Sequence, residues 1–189
     1  MKLEEVIMKA TGIVRRIDDL GRVVVPKEIR RTLRIREGDP MEIFTNRDGE
    51  VILKKYSPIG EIDAFAKQYA ESLAAVSGCY VVISDRDQVI AVSGGVKKEY
   101  IGRRISHELE EIMEQRRTVN TDTDNVKTIT IIDGQDVSDM GQIIFPIICE
   151  GDVIGSVVLM SKTEKQQVSD TEKKLVSVAA DFLGRQMES

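Results

Sequence analysis

Histidine and cysteine are scarce in this 189-residue chain: His107 stands alone, and Cys79 and Cys149 are the two thiols. A single imidazole excludes most Ser-His-Asp hydrolytic sites and nearly every histidine-rich zinc or haem site, and His107 is expected on the surface of a helix. The cysteines show neither CxxC spacing nor a disulfide framework, and read as two buried thiols in strands. Apolar runs fall short of the roughly 20 residues that a membrane span needs, and no leader-like pattern is present, so a cytoplasmic location with no membrane partner is expected. No nucleophile, base or metal set stands out, which predicts neither an enzyme nor a bound cofactor.

What the chain does have is charge, unevenly placed. The net charge is −5, yet Met1 to Tyr56 carries 13 Lys and Arg against 10 Asp and Glu, while the remainder carries 14 against 22. A basic half followed by an acidic half suggests one module facing an anionic polymer and another doing something else. Eight of the 13 cations in the first half are arginine, whose planar fork can pair a phosphate or a guanine edge at two points.

The first half reads as short pieces. Thr11 to Ile17 is a strand candidate that ends in a turn at Asp18-Asp19-Leu20-Gly21. Arg22 to Val25 follows as a β-branched strand, and Pro26 stops it and opens a helix. Lys27 to Leu33 puts Ile29 and Leu33 on one helical face, with Arg30, Arg31 and Arg34 elsewhere. Met41 to Thr45 and Glu50 to Tyr56 form a hairpin around Asn46-Arg47-Asp48-Gly49. About 50 residues built this way bury too little apolar surface to offset chain entropy. With no disulfide or metal to help, the expectation is an obligate dimer sharing one core.

Ser57-Pro58-Ile59-Gly60 reads as a linker, dividing the chain into domains at 1–56 and 61–189. A helix from Ile62 to Val76 comes next, then strands at Cys79 to Ser84 and Val89 to Ser93. Ser106 caps a second helix with Leu109, Ile112 and Met113 on its apolar stripe. Strands follow at Lys127 to Ile132, Gln142 to Cys149 and Val153 to Ser161. A capping box at Ser169-Asp170-Thr171-Glu172 opens the last helix. Five antiparallel strands with flanking helices make an α+β sandwich.

The run Leu20-Gly21-Arg22-Val23-Val24-Val25-Pro26-Lys27-Glu28-Ile29-Arg30, with the residues before it from Met8, resembles the signature of the AbrB-like swapped-hairpin family of bacterial transition-state regulators; the likeness continues through Glu37-Gly38-Asp39 and Val51 to Tyr56. The second domain is similar to GAF domains. The resemblance implies a regulator of sporulation-type transcription, nucleoid-associated, that binds double-stranded DNA. It further implies an N-terminal swapped-hairpin β-barrel dimer whose DNA-facing residues, matched by position, are Arg15, Arg22, Arg30 and Arg31, with Lys9 and Arg16 as weaker candidates. Association of the GAF-like domains through their terminal helices would make a homotetramer.

Three matters stay open. GAF-like domains often hold a small molecule between sheet and helices, but no residue pattern identifies an effector or a ligand site. Met1 to Ile7 precede the family-like sequence, either as a real extension or as the product of an upstream start. The alternative function is an antitoxin-like protein that shares the swapped hairpin and binds a toxin through its C-terminal region. Such tails are usually short and disordered until bound, whereas residues 61–187 carry core periodicity throughout.

Overall fold

The computed structural model describes residues 11–56, 63–96, 98–124, 126–134, 140–163 and 166–187. These form two compact units, Met1–Tyr56 and Ser57–Ser189. Lys9, Met1 to Ile7 and the linker 57–60 lie outside the described residues.

In the first unit, helix α1 (Lys27–Thr32) is followed by an antiparallel pair, β1 (Met41–Thr45) and β2 (Val51–Lys55). Pro26 sits at the N-cap, where its missing N–H costs nothing. The β1–β2 turn is organised by Asn46, whose Oδ1 accepts from the backbone N–H groups of Asp48 and Glu50 at 3.1 and 2.9 Å. Residues 11–17 and 22–25 form no ladder, although their β-branched composition predicts strands. A strand needs a neighbour to receive its N–H and C=O groups, and the described part of one chain supplies none.

Burial repeats the point. None of the described residues from 11 to 56 is buried. Val14 is 86% exposed and Val24 72%, and Ile17, Leu20, Ile43 and Val51 are exposed as well. The described residues of this unit include the apolar side chains of a core, and none of them is buried within one chain.

The second unit has a buried core of its own. Helix α2 (Asp63–Ser77) leads into β3 (Tyr80–Asp85) and β4 (Val89–Ser93). Then come a short 3-10 turn (Lys98–Tyr100), α3 (His107–Glu114) and β5 (Val119–Asn120). A long hairpin, β6 (Gln142–Cys149) and β7 (Asp152–Met160), precedes α4 (Asp170–Arg185). The sheet order is β4-β3-β7-β6-β5, all antiparallel. Alternation along the strands builds two apolar layers. Val81, Ile83, Ile143, Val157 and Leu159 face α2 and α4, while Val82, Ile144, Val158 and Met160 pack with α3 and with Ile129, Ile131 and Ile132. Gly184 lets α4 reach the sheet, since a Cβ there would stand 2.1 Å from the Ile148 carbonyl oxygen.

Both helix starts expected from sequence are present. Ser106 Oγ accepts from the Leu109 N–H at 3.1 Å, and Ser169 and Glu172 form a reciprocal capping box. His107 is the first residue of α3, with its side chain 78% exposed. Two expectations need correction. The fifth strand is Val119–Asn120 rather than residues 127–132. The backbone of 127–132 is instead engaged largely by side chains: Gln142 bonds both the N–H and C=O of Ile129 at 2.9 Å, and Glu108 accepts from Thr130 N–H at 2.9 Å. Cys79 is buried but precedes β3, and Cys149 is only partly buried at the end of β6.

Candidate nucleic-acid interface

The turn after residue 17 is held by one side chain. Asp18 N–H donates to Arg22 C=O at 3.1 Å and Gly21 N–H to Asp18 C=O at 3.0 Å, with Gly21 at φ +77°, a conformation glycine adopts without penalty. Asp18 Oδ1 accepts from the N–H groups of Leu20 and Arg22 at 3.0 and 2.8 Å. Its Oδ2 takes the Nε–H of the Arg22 guanidinium at 2.7 Å. The backbone N–H of Arg22, followed by its guanidinium, lowers the Asp18 carboxyl below the ordinary aspartate value of 3.8. The sequence alone assigns Asp18 and Asp19 to turn chemistry and does not reveal the bond to Arg22. Its signal is nonetheless present: an acid and an arginine four residues apart around a turn glycine.

Arg30 and Arg31 occupy the last turn of α1, where cations oppose the helix dipole favourably, and both are exposed. The C-terminal end of the helix is anchored by the chain beyond it. Arg34 takes a left-handed conformation, φ 52°, and its carbonyl accepts from Lys55 Nζ at 3.1 Å. Lys55 Nζ also lies 3.2 Å from the Asp39 carboxylate, which accepts from Arg36 N–H at 2.8 Å. Arg34 and Arg36 are thus half-buried in the joint between α1 and β2. Their backbones make that joint.

Arg15 and Arg16 are exposed on the segment before the turn. Among the described residues, no carboxylate pairs with the side chains of Arg15, Arg16, Arg30 or Arg31. Five arginines therefore present charge on a turn, its approach and one short helix, all within a single unit of net positive charge. No group of described His, Cys, Asp and Glu side chains has the arrangement to hold a metal ion, and no helix among the described residues is long and apolar enough to cross a membrane.

Residues 61–188 match the family model described as stage V sporulation protein T C-terminal, transcription factor. The stage V sporulation protein T of Bacillus subtilis (strain 168) is 57% identical over 181 residues, spanning 96% of this chain and 99% of that protein. The chain belongs to the stage V sporulation protein T family. It is a family of transcription regulators, not of enzymes. Residues 14–61 also match a model of antidote-toxin recognition MazE, bacterial antitoxin. The transition state regulatory protein AbrB of the same Bacillus is 61% identical over 51 residues, covering 27% of this chain and 52% of that protein. By fold, the chain is similar to the second GAF domain of DevS from Mycobacterium smegmatis, with a TM-score of 0.53 at 12% identity, over 67% of this chain and 93% of that one. The second unit is thus a GAF-like fold.

Proposed function

We propose that this regulator binds double-stranded DNA on the nucleoid, in the cytoplasm, through arginines of a dimeric first unit spanning residues 1–56. Arg15, Arg22, Arg30 and Arg31 make the principal contacts, with Lys9 and Arg16 beside them. The observation that carries the reading is the exposure of these arginines, without carboxylate partners among the described residues, Arg22 excepted, in a basic unit attached to an acidic one. Phosphate contacts supply affinity, and the shape and deformability of the duplex supply much of the selectivity. The exposed Val14, Ile17, Val24, Ile43 and Val51 support a second copy as the missing half of the core. Substituting Ala at Arg30 and Arg31 together tests the DNA reading: a folded dimer with greatly weakened duplex binding is expected, and full affinity in that variant overturns it.

The GAF-like unit, residues 61–189, is assigned to assembly. Both faces of its sheet pack against aliphatic side chains, and α2 and α4 leave Phe65, Val178 and Phe182 exposed, the last stacked on Tyr69 at 5.3 Å between ring centroids. Pairing through these helices would join two dimers into a tetramer with two DNA-binding modules, so binding becomes bivalent. Any effector would act by changing the helix packing and with it the spacing of the modules. The antitoxin alternative draws support from the match over residues 14–61; the well-packed second unit weighs against it, because an antitoxin tail is ordered by its toxin.

A further inference from the structure

We propose that Asp18 is a specificity-determining positioning residue, which holds the Arg22 guanidinium by its Nε so that only the two terminal nitrogens face the duplex. This rests on the reading that Arg22 contacts DNA.

The geometry favours such a role over simple turn formation. The turn uses Oδ1, which accepts two backbone N–H groups. Oδ2 is left over for the guanidinium alone. An arginine gripped at Nε keeps its fork in one orientation, with the terminal N–H groups uncommitted among the described residues. That suits two-point recognition of a guanine edge or a phosphate, whereas an arginine on a free stem reaches any phosphate nearby. The grip also has an electrostatic cost. A carboxylate beside a DNA-facing cation repels phosphates, so it weakens binding to every duplex and is offset only where the oriented fork finds its target. Specificity gained through a repulsive element has this form. Asp19 supplies a natural control, since it has the same charge one residue away and makes no bond to Arg22.

The decisive comparison uses the full chain and two duplexes: one selected by the wild-type protein from a random pool, and one of scrambled sequence. In Asp18→Asn the amide oxygen still accepts the Leu20 and Arg22 N–H groups, so the turn persists while the anionic acceptor for Nε is lost. The ratio of selected to scrambled affinity should fall roughly tenfold, the scale of one two-point base contact, with scrambled binding unchanged or tighter. Asp19→Asn should keep the ratio within about twofold, because it changes only the general attraction to phosphate. Arg22→Lys, which has no Nε, should lower the ratio as Asp18→Asn does, and adding Asp18→Asn to it should change little further. An unchanged ratio in Asp18→Asn, or equal losses in Asp18→Asn and Asp19→Asn, overturns the proposal while leaving DNA binding intact. A wild-type chain that binds neither duplex overturns the DNA reading itself.

Discussion

Asp39 and Lys55 close the first unit across 16 residues of sequence, with the ammonium 3.2 Å from a carboxylate whose side chain is 3% exposed. The same oxygen accepts from Arg36 N–H, so this pair fixes the exit of α1 against β2. Arg30 and Arg31 are therefore carried on a short helix anchored at its C-terminal end. Replacing Lys55 by Met removes the ammonium beside the Asp39 carboxylate, at a cost of about 1–2 kcal/mol. Amide exchange at Arg36 should quicken accordingly, and an Arg36 amide that exchanges at the wild-type rate refutes this.

Binding to DNA should be strongly salt-dependent. If the four principal arginines of each chain neutralise about six phosphates per dimer, log affinity should fall against log salt with a slope on the order of −5. Each single substitution at Arg15, Arg30 or Arg31 should make that slope shallower by about one unit for every phosphate left unneutralised, with the circular dichroism spectrum unchanged. Salt-independent binding is the contrary result.

In the proposed tetramer, α2 and α4 of the GAF-like unit carry the contact between dimers. Val178 is 61% exposed and belongs to neither apolar layer, so Val178→Glu should leave the unit folded. Light scattering should then report a dimer in place of a tetramer, and duplexes carrying two sites should lose the avidity of bivalent attachment. A wild-type chain that is already only a dimer defeats the tetramer.

Acid should loosen the start of α4. The Ser169 side chain, acting on Glu172, holds that carboxyl below the ordinary glutamate value of 4.5, with the Glu172 and Ser169 backbones lowering it further against some desolvation. A carboxyl lowered on folding stabilises the fold above its unfolded value, and the contribution is lost as pH falls through the folded value. Glu172→Gln can keep the box but cannot titrate. Its unfolding midpoint should vary less than the wild type's as the solution is acidified through the ordinary glutamate range and below it; parallel curves would show that Glu172 is not involved.

Features decided by a few neighbouring residues are legible in the sequence. The caps at Ser106 and Ser169 and the Asn46 turn each depend on groups within four residues, and the two-residue alternation of β6 and β7 is set by the strands themselves. Residues 127–132 mislead because their pattern suits a strand, yet the Gln142 side chain takes the bonds that a ladder would have made. No local pattern announces that a side chain 13 residues away will act as a neighbouring strand. The half-burial of Arg34 and Arg36 is not legible from α1 either, since Lys55 and Asp39, which bond their backbones, lie beyond that helix. The arginines of the candidate interface emerge from charge asymmetry and family likeness, whereas the hold of Asp18 on Arg22 requires coordinates, since many acid and arginine pairs at that spacing never meet.

If the first unit folds only as the proposed dimer, it has no melting temperature of its own. Its folding is then a bimolecular event, and its midpoint rises with the logarithm of the amount of protein present. Below the dissociation constant of the pair, dilution alone unfolds the DNA-binding module and exposes it to proteases; above that constant, folding and readiness to bind arrive together. For a regulator built this way, the number of copies in the cell and the fraction competent to act are one variable, and a gradual rise in synthesis becomes a steeper onset of control.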